Sequence, residues 1–214
     1  MMSKEELLSK IQLYVIADKK ICGDRDIEQV VRQAIDGGAQ MIQYRDKDSD
    51  DAEFLSIASR LKTVCKERAV PFIVNDRTEI ARQVDADGVH LGQKDLSIDE
   101  AKRILGSEAI IGKSSSTIDQ AKKAEEEGAD YVGIGPIFET FSKEIDSPIG
   151  VDMIRQAKDS LKIPFFAIGG VNLKNVDQII HAGGRGIAVI SAVILSDDAK
   201  SAAAKLLDKL ESGT

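Results

Sequence analysis

A chain of 214 residues with 43% apolar and 30% charged side chains can bury one sizeable core, and a single domain spanning 1–214 is the expectation. The formal net charge of −7 disfavours a nucleic-acid surface or an acidic membrane as partner, but leaves room for an anionic substrate in a locally basic cleft. The opening MMSKEELLSK lacks a signal-peptide apolar core and no apolar run approaches the ~20 residues of a membrane helix, so a cytoplasmic protein is expected. Cys22 and Cys65 match no metal or redox spacing, and Cys65 reads as a small buried hydrophobe on the apolar side of a helix. Nothing in the sequence specifies an oligomer.

Residues 3–11 read as a short amphipathic helix with Ser3 as N-cap and Glu6 three positions on, a capping box. A strand follows at 13–18. Asp26 caps a helix whose Ile27, Val30, Val31, Ala34 and Ile35 share a face, and Gly37-Gly38 stops it. The second strand is 40–45. Residues 51–68 form the clearest helix, with Phe54, Ile57, Ala58, Leu61, Val64 and Cys65 at three-and-four spacing. The third strand, 71–76, places Pro71 first, where a missing N–H costs least.

A short helix at 78–84 leads to strand 88–92. Ser97 and Glu100 box the next helix, which Gly106 ends, before strand 109–114 and helix 117–127 with Gly128 as its stop. Strand 131–135 runs into a connection of about fifteen residues, far longer than the usual two to six. Helix 151–161, strand 164–169, helix 173–182, strand 186–191 and helix 197–210 complete eight strand–helix units.

Helices between consecutive strands require parallel pairing, and strands such as IIGKS and GIAVI lack polar alternation, as doubly buried strands do. The expected fold is therefore α/β, a closed (β/α)₈ barrel behind one leading helix. The segments DGGAQMI, VDADGVHL, EEGADYVG and HAGGRGIAVI repeat one helix-to-strand pattern, in keeping with it. A dinucleotide-binding open sheet is the weaker alternative, because no Gly-x-Gly-x-x-Gly opens a helix after the first strand.

A barrel of this kind carries its chemistry at the C-terminal strand ends. Here those ends supply Gln43, Arg45 and Lys47; Asn75 and Asp76; Gln93 and Asp95; Lys113 and Ser114; Thr140, Ser142 and Lys143 from the long loop; Gly169-Gly170; and Ile190-Ser191 before a short turn at 191–195. Cations and hydroxyls suit more than one phosphate, and Asp76 with Asp95 suits Mg²⁺, which takes one or two carboxylates and completes its shell with substrate phosphates. The Gly-Gly pair beside Ser191 falls where many barrels hold a phosphate. No Cys or His pair is placed for nucleophilic acyl transfer. Any one of these residues has a structural alternative as an ion pair or turn glycine; their agreement across seven strand ends is what favours a site. His90, mid-strand, reads as a hydrogen-bonded interior imidazole rather than a base, and His181 as a surface residue near a helix end.

The pieces QYRDK, VNDR, DGVHLGQKD, YVGIGPIFETFSK and AIGGVN make the chain resemble the thiamine phosphate synthase family, from LYVIAD to VISAV. The resemblance implies a transferase that joins a pyrimidine carrying a methyl diphosphate to a thiazole phosphate and releases diphosphate. It assigns Gln43, Arg45, Lys47, Asn75, Ser114 and Lys143 to the pyrimidine diphosphate. Asp76 and Asp95 fall to Mg²⁺, and Thr140, Ser142, Gly170, Ile190 and Ser191 to the thiazole phosphate. Lys143, Arg45 and Ser114 are the expected catalytic residues. Where the family often has Ser-x-His-Thr, this chain has Ser114-Ser115-Ser116-Thr117. Where it often has Pro-Thr-x-Thr-Lys, this chain has Glu139-Thr140-Phe141-Ser142-Lys143. Glu139 is similar to the related thiazole tautomases, but those use a His for proton transfer where Ser116 stands, and a Ser cannot hold that proton near neutral pH. A non-catalytic ligand-binding barrel is the third reading, and the retained Asp76, Asp95, Arg45, Lys47 and Lys143 speak against it.

Overall fold

The computed structural model describes residues 3–140 and 147–213. In chain order its elements begin α1 (Lys4–Ser9), β1 (Leu13–Asp18), α2 (Lys19–Cys22), α3 (Ile27–Asp36), β2 (Met41–Arg45), α4 (Asp51–Glu67) and β3 (Phe72–Asn75). They continue with α5 (Thr78–Gln83), β4 (Gly88–Leu91), α6 (Ile98–Leu105), β5 (Ile110–Ser115), α7 (Ile118–Glu126) and β6 (Tyr131–Ile134). The chain ends in α8 (Asp152–Ser160), β7 (Phe165–Ile168), α9 (Val176–His181), β8 (Gly186–Val189), α10 (Ser191–Ile194) and α11 (Ala199–Ser212). Every strand pairs in parallel with its neighbour in sequence, and β8 pairs with β1, so the sheet closes as an eight-stranded barrel. The expected architecture is present.

Most boundaries agree with the sequence reading to within two residues; the exceptions have local causes. Two four-residue helices, α2 and α10, follow β1 and β8 and are too short to leave a periodicity. Asp18 caps α2 by accepting from Ile21 N at 3.0 Å. Helix α9 starts three residues later than expected, because Asn172 first builds a turn. Its carbonyl accepts from Asn175 N and Val176 N, and its side chain accepts from Lys174 N. Strand β8 ends at Val189, since Ser191 already belongs to α10. Both expected capping boxes form, Ser3 with Glu6 and Ser97 with Glu100.

Two separate apolar layers hold the barrel. Outward-facing strand residues such as Val15, Ile42, Val74 and Val132 pack under the amphipathic helices, with Phe54, Leu61 and Leu206 among their partners. Inward-facing residues form a second cluster of Tyr14, Ile16, Met41, Ile73, Ile110, Tyr131, Phe166 and Ala188. Leu8 and Ile11, on and after α1, join that inner cluster and cover the N-terminal end of the barrel. Lys4 ties α1 in place, donating to the carbonyls of Ser107 and Ala109 at 3.0 Å and pairing with Asp130 at 3.0 Å. Each fully buried aliphatic or aromatic side chain contributes about 1.5–3 kcal/mol, and the layer beneath the mouth is made of such residues. Space inside is tight: a Cβ on Gly112 would lie 2.1 Å from the Tyr131 ring, so β5 needs glycine there.

Candidate active site

The C-terminal ends of the strands surround one open cavity. Gln43, Arg45, Lys47, Asn75, Asp76, Asp95, Ser114, Thr140, Gly170, Ile190 and Ser191 all line it. The sheet register explains the convergence. Asp18 aligns with Arg45, Gln43 with Ile73, Asn75 with His90, and Ser114 with Gly133, so inward positions of neighbouring strands share a level. Ser142 and Lys143, expected at the same mouth, lie outside the described residues.

The charges are paired rather than scattered. Arg45 donates to Asp18, whose side chain is 2% exposed and whose other oxygen caps α2. A buried carboxylate with both oxygens engaged fixes the guanidinium against the cavity wall. Lys47 forms an ion pair with Asp76. Asp76 takes a left-handed backbone, φ 59°, which a short polar side chain tolerates and which turns the chain sharply after β3. Asp95 sits across from it, accepting from Gly92 N at 2.6 Å. Burial first, and then the neighbouring Asp95, hold the Asp76 carboxyl above the ordinary range, against the pull of Lys47. For Asp95 burial acts upward too, but the hydrogen bond shared with Asp76, the Gly92 N–H and the charges of Lys47 and Lys113 bring it below.

Two facing carboxylates, of which Asp95 helps to hold Asp76 above its ordinary range, are a ready cation site. The donor set is hard oxygen only, and among the described residues no group of three or more His, Cys, Asp or Glu gathers that could hold a metal ion by itself, so a cation here would complete its shell with other oxygens. Two carboxylates beside phosphate-binding cations fit Mg²⁺. Neither cysteine offers a nucleophile: burial pushes the Cys65 thiol up to about 12 and raises that of Cys22.

Opposite the carboxylates, the loops after β6 and β7 touch. A Cβ on Gly170 would lie 2.2 Å from the carbonyl oxygen of Glu139, and Gly170 itself has φ 65°. Asn172 and Asn175 each donate to its carbonyl at 2.9 Å, which holds this glycine turn beside Thr140, Ile190 and Ser191. Ser116 is elsewhere: its hydroxyl donates to Gln120 Oε1 at 3.1 Å on the exposed start of α7, and it does not line the cavity.

His90 is hydrogen-bonded through both ring nitrogens, as expected of an interior imidazole, and it also borders the cavity. His181 is exposed, as expected. Sequence reasoning missed Asp18, although it ends β1 as Arg45 ends β2 and strand ends were the criterion. It also missed Tyr14, Tyr131 and Phe166, apolar enough to pass for ordinary core and distinguishable only once the inward phase of each strand is known.

The family model for thiamine monophosphate synthase matches residues 13–193. The chain is 45% identical over 197 residues to the thiamine-phosphate synthase of Clostridium botulinum, covering 92% of this chain and 96% of that one. It is also 45% identical over 206 residues to that of Coprothermobacter proteolyticus, covering 96% and 98%. Among solved structures, thiamine phosphate pyrophosphorylase from Pyrococcus furiosus superposes with a TM-score of 0.88 at 38% identity, covering 97% of this chain and 98% of that one. With matched length, matched fold and a family pattern that runs through β1 to α10, the chain belongs to the thiamine monophosphate synthase family.

Proposed function

We propose that the chain is a thiamine-phosphate synthase. It would transfer the pyrimidinylmethyl group of 4-amino-2-methyl-5-(diphosphooxymethyl)pyrimidine to the ring nitrogen of a thiazole phosphate, giving thiamine phosphate and diphosphate. The observation that carries this reading is one cavity holding Arg45, Lys47 and a facing Asp76–Asp95 pair, in a chain 45% identical to proteins named for the reaction. The thiazole nitrogen already carries its lone pair, so no general base has to create the nucleophile. The barrier lies in breaking the methylene C–O bond, whose electron pair leaves with diphosphate while a resonance-stabilised pyrimidinylmethyl cation awaits the nitrogen.

The roles follow from that charge movement. Arg45, Lys47 and Lys143 stabilise the negative charge that grows on the leaving group, and Ser114 donates a hydrogen bond beside the reacting carbon. Gln43 and Asn75 orient the pyrimidine, and Thr140, Ser142, Gly170, Ile190 and Ser191 hold the thiazole phosphate over the carbon. Asp76 and Asp95 hold Mg²⁺, which when bound supplies Lewis-acid neutralisation of the diphosphate oxygens.

Purified protein incubated with both substrates and Mg²⁺ should form thiamine phosphate and diphosphate in equal amounts. Loss of the thiazole substrate without thiamine phosphate would instead mark a tautomase and overturn the reading, although Ser116, bonded to Gln120, offers nothing to move that proton.

A further inference from the structure

Five side chains from five strands meet inside the barrel in one unbroken hydrogen-bond chain. Gln43 on β2 contacts the Tyr14 hydroxyl on β1 through its amide nitrogen. Tyr14 and Tyr131 on β6 share a hydroxyl–hydroxyl bond of 2.9 Å. The Tyr131 hydroxyl lies 3.1 Å from His90 Nδ1 on β4, and His90 Nε2 lies 2.9 Å from the Ser114 hydroxyl on β5. Both phenols are essentially inaccessible, and Gln43 is 2% exposed. The rings are locked edge-on: Tyr14 and Tyr131 each stand 5.4 Å from Phe166. Gly112 leaves the space that the Tyr131 ring fills.

We propose that Tyr14, Tyr131 and His90 are positioning residues that couple Gln43 to Ser114, so that the two ends always present opposite hydrogen-bonding character to the substrate. Proton counting gives the coupling. Burial keeps both phenols protonated, so each donates once. If Gln43 donates to Tyr14, then Tyr14 donates to Tyr131, Tyr131 to His90 Nδ1, and His90 Nε2–H to Ser114. Gln43 then offers its carbonyl to the cavity, and Ser114 is left with its own O–H to donate. Reversal at either end requires reversal of every link, which turns Gln43 into a donor and Ser114 into an acceptor. An aminopyrimidine, with an exocyclic amine to donate, matches the first arrangement; its oxo counterpart matches the second. The chain would thus set the preference for the amino form. This rests on the synthase reading, since it supplies the pyrimidine.

The test compares the 4-amino substrate with its 4-oxo analogue, as the ratio of kcat/KM, in wild type, Tyr131→Phe, Tyr14→Phe and the double variant, with folding checked by circular dichroism. Cutting the chain frees Gln43 to turn its amide, so either single change should narrow the ratio by about tenfold. Because one broken link suffices, the double variant should be little worse than either single one. A purely packing role would lower activity on both pyrimidines alike and leave the ratio unmoved. An unchanged ratio in both single variants, or losses that simply multiply in the double variant, would overturn the coupling. If wild type forms no thiamine phosphate, the synthase reading fails by itself, and the same ratio is then read from calorimetric binding of the two pyrimidines. Absence of binding by either overturns both proposals.

Discussion

The floor and the mouth of this barrel are built from the same strands, one inward position apart, and they are chemically opposed. Along β2 the inward side chains step from Met41 to Gln43 to Arg45, apolar to amide to cation, over two intervals of ~6.6 Å. Along β5 they step from Ile110 through Gly112 to Ser114, and along β3 from Ile73 to Asn75. Below, burial of large apolar side chains stabilises the closed sheet. Above, like carboxylates face one another and the charged groups need partners. The apolar floor carries most of the burial that closes the sheet, and the charged groups sit above it.

The strongest way to break that contrast is to cut the floor. Ile73→Ala removes most of a fully buried side chain and should cost about 2–5 kcal/mol. For a chain of this size the thermal midpoint should fall by roughly 2–4 °C per kcal/mol. Turnover measured well below the new midpoint should stay within a few-fold of wild type. A large fall in kcat with the midpoint unmoved would mean the floor takes part in the chemistry.

Lys143→Met tests the opposite half. The change keeps side-chain length while deleting the charge proposed to stabilise the departing diphosphate. It should lower single-turnover rates by ~10²–10³ and kcat more than it raises KM, with little change in stability. Ser116→Ala is the paired control and should be nearly silent, as its hydroxyl serves only the start of α7. A fully active Lys143→Met protein would overturn the leaving-group mechanism.

The contrast also explains what the sequence could and could not disclose. Eight strands were legible because glycine stops and apolar runs repeat along the chain, and the mouth because polar residues collect at strand ends. In doubly buried strands both faces are apolar, so nothing local separates Tyr14, which points inward, from Val15, which does not. The Tyr14–Tyr131 contact joins residues 117 positions apart. The Asp18–Arg45 pair likewise depends on the β1–β2 register. Such links exist only after closure.

A smaller effect sharpens the metal assignment. Asp95→Asn keeps the shape of the side chain but removes one of two facing charges. It should weaken Mg²⁺-dependent diphosphate binding by at least ~10-fold, the loss that even an outer partner of a metal ligand produces. Calorimetry with diphosphate, with and without Mg²⁺, reads this directly. Activity that survives EDTA unchanged would remove the metal from the mechanism.

The smallest expected effect bears on why the mouth is costly. The folded protein holds Asp76 above the ordinary carboxylate range, chiefly by burial and then by Asp95, so the folded state keeps a proton that the unfolded chain has released. Stability from this group is present at low pH and is lost as pH rises from ~4, the unfolded value, through the raised folded value. Asp95 is depressed and acts with the opposite sign in a lower window: its contribution is lost only as pH falls below the ordinary value. Metal-free wild type should therefore lose stability with rising pH above ~4 through Asp76 alone. Asp76→Asn should lack that loss and be equal to or more stable than wild type near neutrality. Lys47, half exposed at 50%, remains solvated when its partner is neutralised and should add little. Mg²⁺ should raise the midpoint of wild type at neutral pH, because a bound cation would offset the charge that the lost proton leaves, and should leave the variant nearly unmoved. Midpoints measured against pH, with and without Mg²⁺, separate these cases. If Asp76→Asn proves less stable than metal-free wild type at neutral pH, the carboxylate pair is a structural element of the barrel and the opposition between floor and mouth fails at that residue.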